Sequence, residues 1–306
     1  MAKQTRRQFI GTSVGGAVFA AGLARAQEAP AAMAIARWKG EPVMDEPTDV
    51  MAPKLARAAL DAVGGMGRFV KKGDVVWIKP NMAWEQPPEL AANTNPHLVA
   101  ALVKMCLEAG AKTVKVGDNT CHDAKKSYVA SGIEAAAKDA GAEVVYVDRD
   151  RFRSMKIGGE ILKEIPVWPG MVESDLLISV PVAKHHGLST VTLAMKNYMG
   201  VVESREKFHQ NIPGCLADLT AFLKPRISVL DGIRILTANG PTGGDPKDVK
   251  RCNVVAASTD IIALDAFGAE LLGYKPADIS SIAAGVKLGL GEMDYRKLPA
   301  REIEVS

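Results

Sequence analysis

Short apolar runs ending in polar residues alternate with amphipathic stretches along most of this chain, and that rhythm restricts the fold more than any other feature. The run "DVVWIKPN" (74–81) precedes "NPHLVAALVKMCLEAG", where Leu98, Leu102, Met105 and Ala109 recur at helical spacing, and "KTVKVGDN" follows as a second strand. A further helix in "SYVASGIEAAAKDAG" closes at Gly141 before the strand "AEVVYVDRD". The pattern continues through "SDLLISVPVAK", "PGCLADLTAFLKP", "RISVLDG", "CNVVAASTD", "IIALDAFGAELLG", "ISSIAAGVKLGLG" and the terminal "REIEV". Strands that alternate with helices predict an α/β fold: a largely parallel sheet with helices on both faces, in one unit or two intimately packed lobes.

Ahead of this rhythm stands "TRRQFIGTSVGGAVFAAGLARAQE", in which Arg6 and Arg7 precede a Gly-rich apolar run and an Ala24-Arg25-Ala26 cleavage pattern. The run is too short and glycine-rich for a stable membrane span, and Thr5 to Ile10 resembles a twin-arginine export signal. The expectation is residues 1–26 as signal, cut after Ala26, then 27–69 as a linker leading into a domain over 70–306, with the mature protein in the periplasm. Cleavage removes Lys3, Arg6, Arg7 and Arg25 but no acid, taking the formal charge from +3 to −1. That near-neutral chain lacks the clustered basic field that nucleic acid demands, so neither nucleic acid nor a membrane span is expected, and the export machinery and a small ligand are the expected partners. Oligomerisation stays open. Hydrophobic residues make up 47% of the chain, ample for a large core. The four cysteines (Cys106, Cys121, Cys215 and Cys252) are too scattered for a local zinc or iron-sulfur motif; an oxidising compartment permits up to two disulfides, although Cys106 falls on an apolar helix face.

In α/β sheets, ligands bind beyond the carboxyl ends of the strands. Applied here, the rule gathers Lys79 and Asn81, Asp118 with His122, Lys184 with His185 and His186, Asp231, and Asp260. The densest cluster is "VPVAKHHGLSTVTLAMKNYMG" (180–200). A helix over 188–199 would bury Leu188, Val191, Met195 and Met199 and place Ser189, Thr192 and Lys196 on another face. Lys184, His185 and Lys196 then form a catalytic set around a carboxylate or phosphate, with a helix N-terminus adding its partial charge. Lys79, Asn81, Asn197, Asp231, Asn239 and Gly240 are expected to bind the ligand, the last two from the Gly/Pro loop "TANGPTGGDP". Asp118 and His186 are the candidate metal ligands, with capping and packing as their ordinary alternatives. On an extended backbone, at most one of the vicinal histidines faces the crevice easily. Asp260 reads as a helix cap, and Asp265, inside a helix, requires a partner.

The segments "VVWIKPNM", "TVKVGDN", "SDLLISVPVAKHHGLSTVTLAMKNYMG", "VLDGI" with "NGPTGGDP", and "DIIALDAFGAELLG" together resemble domain-of-unknown-function family 362, over roughly residues 70 to 290. The resemblance implies a fold and no activity. Many members look like iron-sulfur proteins through an added ferredoxin-like module; this chain carries no such module, so an iron-sulfur cluster is not expected. A faint similarity to the nickel-pincer lactate racemase family, which also places lysine and histidine near a strand-helix junction, implies an organometallic cofactor at Lys184 as one option. Twin-arginine export, which carries folded and often cofactor-loaded proteins, favours a metal ion or organometallic cofactor as well. The functional expectation is a periplasmic metal- or cofactor-dependent enzyme acting on a small anionic metabolite; a ligand or metal carrier without turnover and an iron-sulfur electron-transfer protein are the alternatives.

Overall fold

The computed structural model describes residues 29–40 and 47–306. The expected export signal, residues 1–26, lies outside them.

The first surprise is in the supposed linker. Residues Met33–Trp38 form strand β1 and Met51–Ala62 form helix α1. Met33, Ala34, Ile35 and Ala36 are all fully buried. The Ala-rich composition that reads as a spacer is what a strand needs where helices pack closely on both of its sides. The sequence reading of 27–69 as a linker is corrected accordingly.

Beyond α1, strand β2 (Val75–Pro80), helix α2 (Pro96–Glu108) and strand β3 (Thr113–Val116) make the expected β-α-β unit. Helices α3 (Ala124–Ala130) and α4 (Ile133–Asp139) lead to the short β4 (Glu143–Val144). A separate antiparallel pair, β5 (Arg153–Lys156) and β6 (Glu164–Val167), and the one-turn α5 (Pro169–Val172) precede β7 (Leu176–Val180). After Pro181 the chain continues as β8 (Val182–His186), turns back as β9 (Thr190–Thr192), and forms the short α6 (Ala194–Asn197). Helices α7 (Glu206–Gln210) and α8 (Ile212–Leu223) follow, then the long strands β10 (Ser228–Leu236) and β11 (Val249–Ser258). Helices α9 (Ile261–Leu271) and α10 (Ser280–Lys287) and strand β12 (Ala300–Val305) complete the order.

One continuous sheet of ten strands runs β12-β1-β11-β10-β7-β2-β3-β4, with β8 beside β10 and β9 beside β8. The pairings β12–β1, β10–β7, β7–β2, β2–β3 and β3–β4 are parallel. The pairings β1–β11, β10–β11 and β8–β9 are antiparallel, so the fold is α/β with a mostly parallel, mixed sheet rather than two lobes. Alternation along each strand divides the core in two. On one face Met33, Ile35, Trp77, Leu230, Val254 and Ala256 pack with α6, α8, α9 and α10. On the other, Ala34, Val76, Ile78, Val229, Val255 and Ala257 pack with α1, α2, α3 and α4. Both sheet faces are therefore covered by helices, and the near-continuous apolar strands of the sequence have that as their cause.

Candidate functional site

Three parallel strands, β2, β3 and β7 with its continuation β8, end on the same side of the sheet, and their terminal residues meet around a cavity of about 340 Å³. Loop 81–95 reaches it because it is latched at both ends. Asn81 N–H donates to Thr94 Oγ1 at 2.9 Å, and the Thr94 hydroxyl donates to Val180 O at 2.7 Å. Asn95 caps α2, accepting from His97 N and Leu98 N, and its own N–H donates to Asp231 Oδ2 at 2.7 Å. Asp231, buried and pushed up to about 6 by burial, also accepts from Ile233 N at 3.0 Å. Asp231 therefore anchors this loop to β10 and does not line the cavity, contrary to the sequence expectation.

The loop places Ala92 O, Trp84 and Asn81 against Lys184. The Lys184 ammonium donates to Ala92 O at 2.6 Å, Pro241 O at 3.0 Å and Asn81 Oδ1 at 3.2 Å, and lies 5.6 Å from the Trp84 ring centre. Complete burial pushes it down to about 7, while three oxygens matched to the three N–H bonds of an ammonium favour its charged form. Lys79 is also fully buried, its pKa lowered by burial against the pull of Asp118, whose Oδ1 is 2.7 Å away. Asn197 joins the strand ends: its side-chain amide donates to Lys79 O and Ser179 Oγ at 3.0 and 3.1 Å, and its Oδ1 accepts from Lys79 Nζ at 3.1 Å. Gly200 is required here because a Cβ would lie 2.5 Å from Lys79 Cε and closer still to Asp118 Oδ1.

Residues 188–199 do not form one helix. The turn after His186 pairs β8 with β9, so that Lys184 faces Thr192 and His186 faces Thr190 across the hairpin. Only then does α6 begin, its first amides, Ala194 N and Met195 N, donating to Asp265 at 2.6 and 3.1 Å. This is the partner that buried Asp265 required; burial raises its pKa to about 7. Val191, Thr190 and Thr192 are β-branched and favour the hairpin over a helix turn, and Gly187 lies in the turn that the hairpin needs.

On the extended β8, Lys184 and His186 both line the cavity. His185 does not; its Nδ1 accepts from Gly240 N at 3.1 Å. His186 Nδ1 accepts from Leu188 N at 3.1 Å, and burial and the Lys196 charge hold its pKa down to about 3. A neutral imidazole whose Nδ1 accepts must carry its proton on Nε2, so His186 offers a hydrogen-bond donor rather than a lone pair. Lys196, half-buried, donates to Met199 Sδ at 3.3 Å, and among the described residues no oxygen lies within hydrogen-bond distance of it. Burial, followed by the Arg205 charge, pushes it down to about 8. Arg205 lines the same cavity and donates to Asn119 O at 2.5 Å. Thr192, a residue 3% exposed, also lines the cavity, and its buried hydroxyl has no hydrogen-bond partner among the described residues.

Of the residues singled out from sequence, Lys79, Asn81, Asp118, Lys184, Lys196 and Asn197 converge, joined by His186 and Gly240. Asn239 is turned outward to Asp248 Oδ2 at 2.8 Å and is not part of the cavity. Asp260 caps α9, donated to by Ala263 N at 2.9 Å. The reading of Asp118 and His186 as metal ligands does not fit the donor set. The Asp118 carboxylate is engaged by Lys79 and Met82 N, His186 presents a proton, and no group of three His, Cys, Asp or Glu side chains suits a metal among the described residues. An organometallic group on Lys184 would have to displace three hydrogen bonds. Sequence reasoning missed Arg205, which follows the strand-rich region without periodicity, and Trp84, which no pattern placed beside Lys184.

The sequence signature described as Domain of unknown function (DUF362) matches residues 76–270. The thylakoid-associated protein sll1697 of Synechocystis sp. (strain ATCC 27184 / PCC 6803 / Kazusa) is 29% identical over 251 residues, 76% of this chain and 74% of that protein. Among solved structures, the lactate racemase apoprotein from Thermoanaerobacterium thermosaccharolyticum is similar at 14% identity and a TM-score of 0.48, over 77% of this chain and 60% of that one. A protein from Thermotoga maritima is similar at 11% identity and a TM-score of 0.40, over 76% of this chain and 60% of that one.

Proposed function

Given that the chain belongs to the DUF362 family, we propose that its strand-end cavity binds a small organic anion, a carboxylate before a phosphate, and acts on it by proton-transfer chemistry. The observation that carries this reading is an imbalance of charge: Lys196 and Arg205 line the cavity, and among the described residues neither has a carboxylate within ion-pair distance. The Asp118 charge is committed to Lys79. Lys184 adds a third cation to the lining. Burial of these charges is costly unless an anion completes them. The walls between are apolar, with Trp84, Met199, Pro241 and Ile212 suited to a compact hydrocarbon body. His186 contributes its Nε2–H to an anionic oxygen, and Lys196, pushed down to about 8 and not engaged by three oxygens as Lys184 is, is the amine free to exchange a proton.

No step is assigned to a metal, since the donor set does not fit one. The same reading places the mature chain in the periplasm, exported through the Arg6-Arg7 signal and cut after Ala26.

Calorimetry with a panel of carboxylates and their neutral amides tests the binding. Carboxylates are expected to bind and amides not to; K196M and R205M should each weaken binding roughly tenfold, the worth of one charged hydrogen bond. The pH dependence has a definite sign. An anion favours the ammonium forms, so affinity is greatest where Lys184 and Lys196 are protonated and declines as pH rises through about 7 and about 8. His186, held down to about 3, stays neutral throughout and adds nothing to the profile. Equal binding of acids and amides would overturn the proposal.

A further inference from the structure

Three lysines line the cavity; Lys79 is held in its ion pair with Asp118, and the surroundings of the other two differ in kind. Lys184 is saturated by three oxygens and the Trp84 face. Among the described residues Lys196 has only the Met199 sulfur within hydrogen-bond reach, a weak acceptor that leaves the nitrogen free to react. Arg205 lies close enough to Lys196 for its charge to act on the amine, and both line the cavity. Arg205 and the His186 Nε2–H provide, independently of Lys196, what a carboxylate needs. The cavity therefore offers a carboxylate site and a free amine side by side, in apolar surroundings.

We propose that Lys196 forms an imine with the carbonyl of a 2-oxo acid, whose carboxylate is held by Arg205 and His186. This rests on the anion-binding reading and names the substrate class. The neutral Nζ adds its lone pair to the carbonyl carbon, and the carbonyl electrons move onto oxygen, which takes up the proton lost by nitrogen. A second proton transfer releases the hydroxyl as one water, and the nitrogen lone pair forms the C=N bond; no oxidant or reductant is consumed. Lys196 neutralises itself readily because burial and Arg205 both disfavour its ammonium form.

The test is reductive trapping on the full-length protein with pyruvate and cyanoborohydride, followed by peptide mapping, with calorimetry of pyruvate and lactate alongside. The expected result is a secondary amine on Lys196, heavier by the mass of the acid less one oxygen atom, and no adduct with lactate. K196R should lower labelling by at least about tenfold, since an arginine cannot form the imine. Binding of pyruvate without an adduct, or an adduct on Lys184 instead, overturns the imine while leaving the anion site standing. Absence of binding by both acids overturns the anion reading and the imine with it.

Discussion

Gly200 shows at the scale of one residue how closely the strand ends approach each other. Its hydrogen sits where any β-carbon would press on the Lys79–Asp118 ion pair, both partners of which are almost completely buried. A buried pair contributes little net stability when intact but is expensive to break, because each charge is left without water or partner. Gly200→Ala is therefore expected to cost about 3 kcal/mol or more, read by chemical denaturation. A loss below about 1 kcal/mol would mean that the pair moves aside at little cost. Sequence reasoning found Lys79, Asp118 and Gly200 as separate polar or small residues. That they touch depends on β2, β3 and the turn after α6 ending at one place, which no local pattern encodes. His186 makes the same point: its presence at a strand end was legible, whereas its protonated nitrogen follows from Leu188 N, two residues on in a turn.

The hairpin β8–β9 is the element on which the sequence and the structure part company. Helical spacing of Leu188, Val191, Met195 and Met199 is real, yet Leu188 is 72% exposed while the other three are buried. The apparent period arises from two elements joined end to end, one with period two and one with a helical turn. The turn between β8 and β9 puts Thr190, a β-branched residue, at φ +65°, in the left-handed region. The strain there belongs to the turn and not to the cavity, since Thr190 is exposed. Thr190→Gly is expected to stabilise the protein by about 1 kcal/mol, the cost of left-handed backbone being greater than the chain entropy that glycine adds. Urea denaturation measures it, and a destabilisation of similar size would show that the Thr190 side chain contributes packing of its own. By contrast, the apolar face of α2 was legible: Leu98, Leu102 and Met105 recur at helical spacing and are buried, while Ala109, at the same spacing, falls at the C-cap just past the helix end.

For the whole molecule, β1 is the decisive addition. It joins β11 and β12, pairing antiparallel to one and parallel to the other, and among the described residues β12 reaches the sheet through β1 alone. A chain shortened to begin after Gly40 would expose the edge of β11 and detach β12, so it is expected to lose cooperative unfolding and aggregate. A chain cut after Ala26 keeps β1 and should unfold as one transition; N-terminal sequencing of exported protein, together with a thermal melt of each form, checks both. A cooperative, soluble short form would show that β1 is dispensable. The family, the α/β class and the two-sided covering of the sheet were determined by the sequence itself, because hydrophobic periodicity and strand-helix alternation are local properties that any fold of this chain must satisfy. The tertiary structure alone decided that Lys196 and Arg205 share a cavity, that Asp231 and Asn239 lie outside it, and that Lys184 is saturated while Lys196 is free. Those outcomes depend on strand register and loop latches spanning a hundred residues or more, as between Lys184 and Asn81 or Asn95 and Asp231, and distance in sequence carries no information about direction in space.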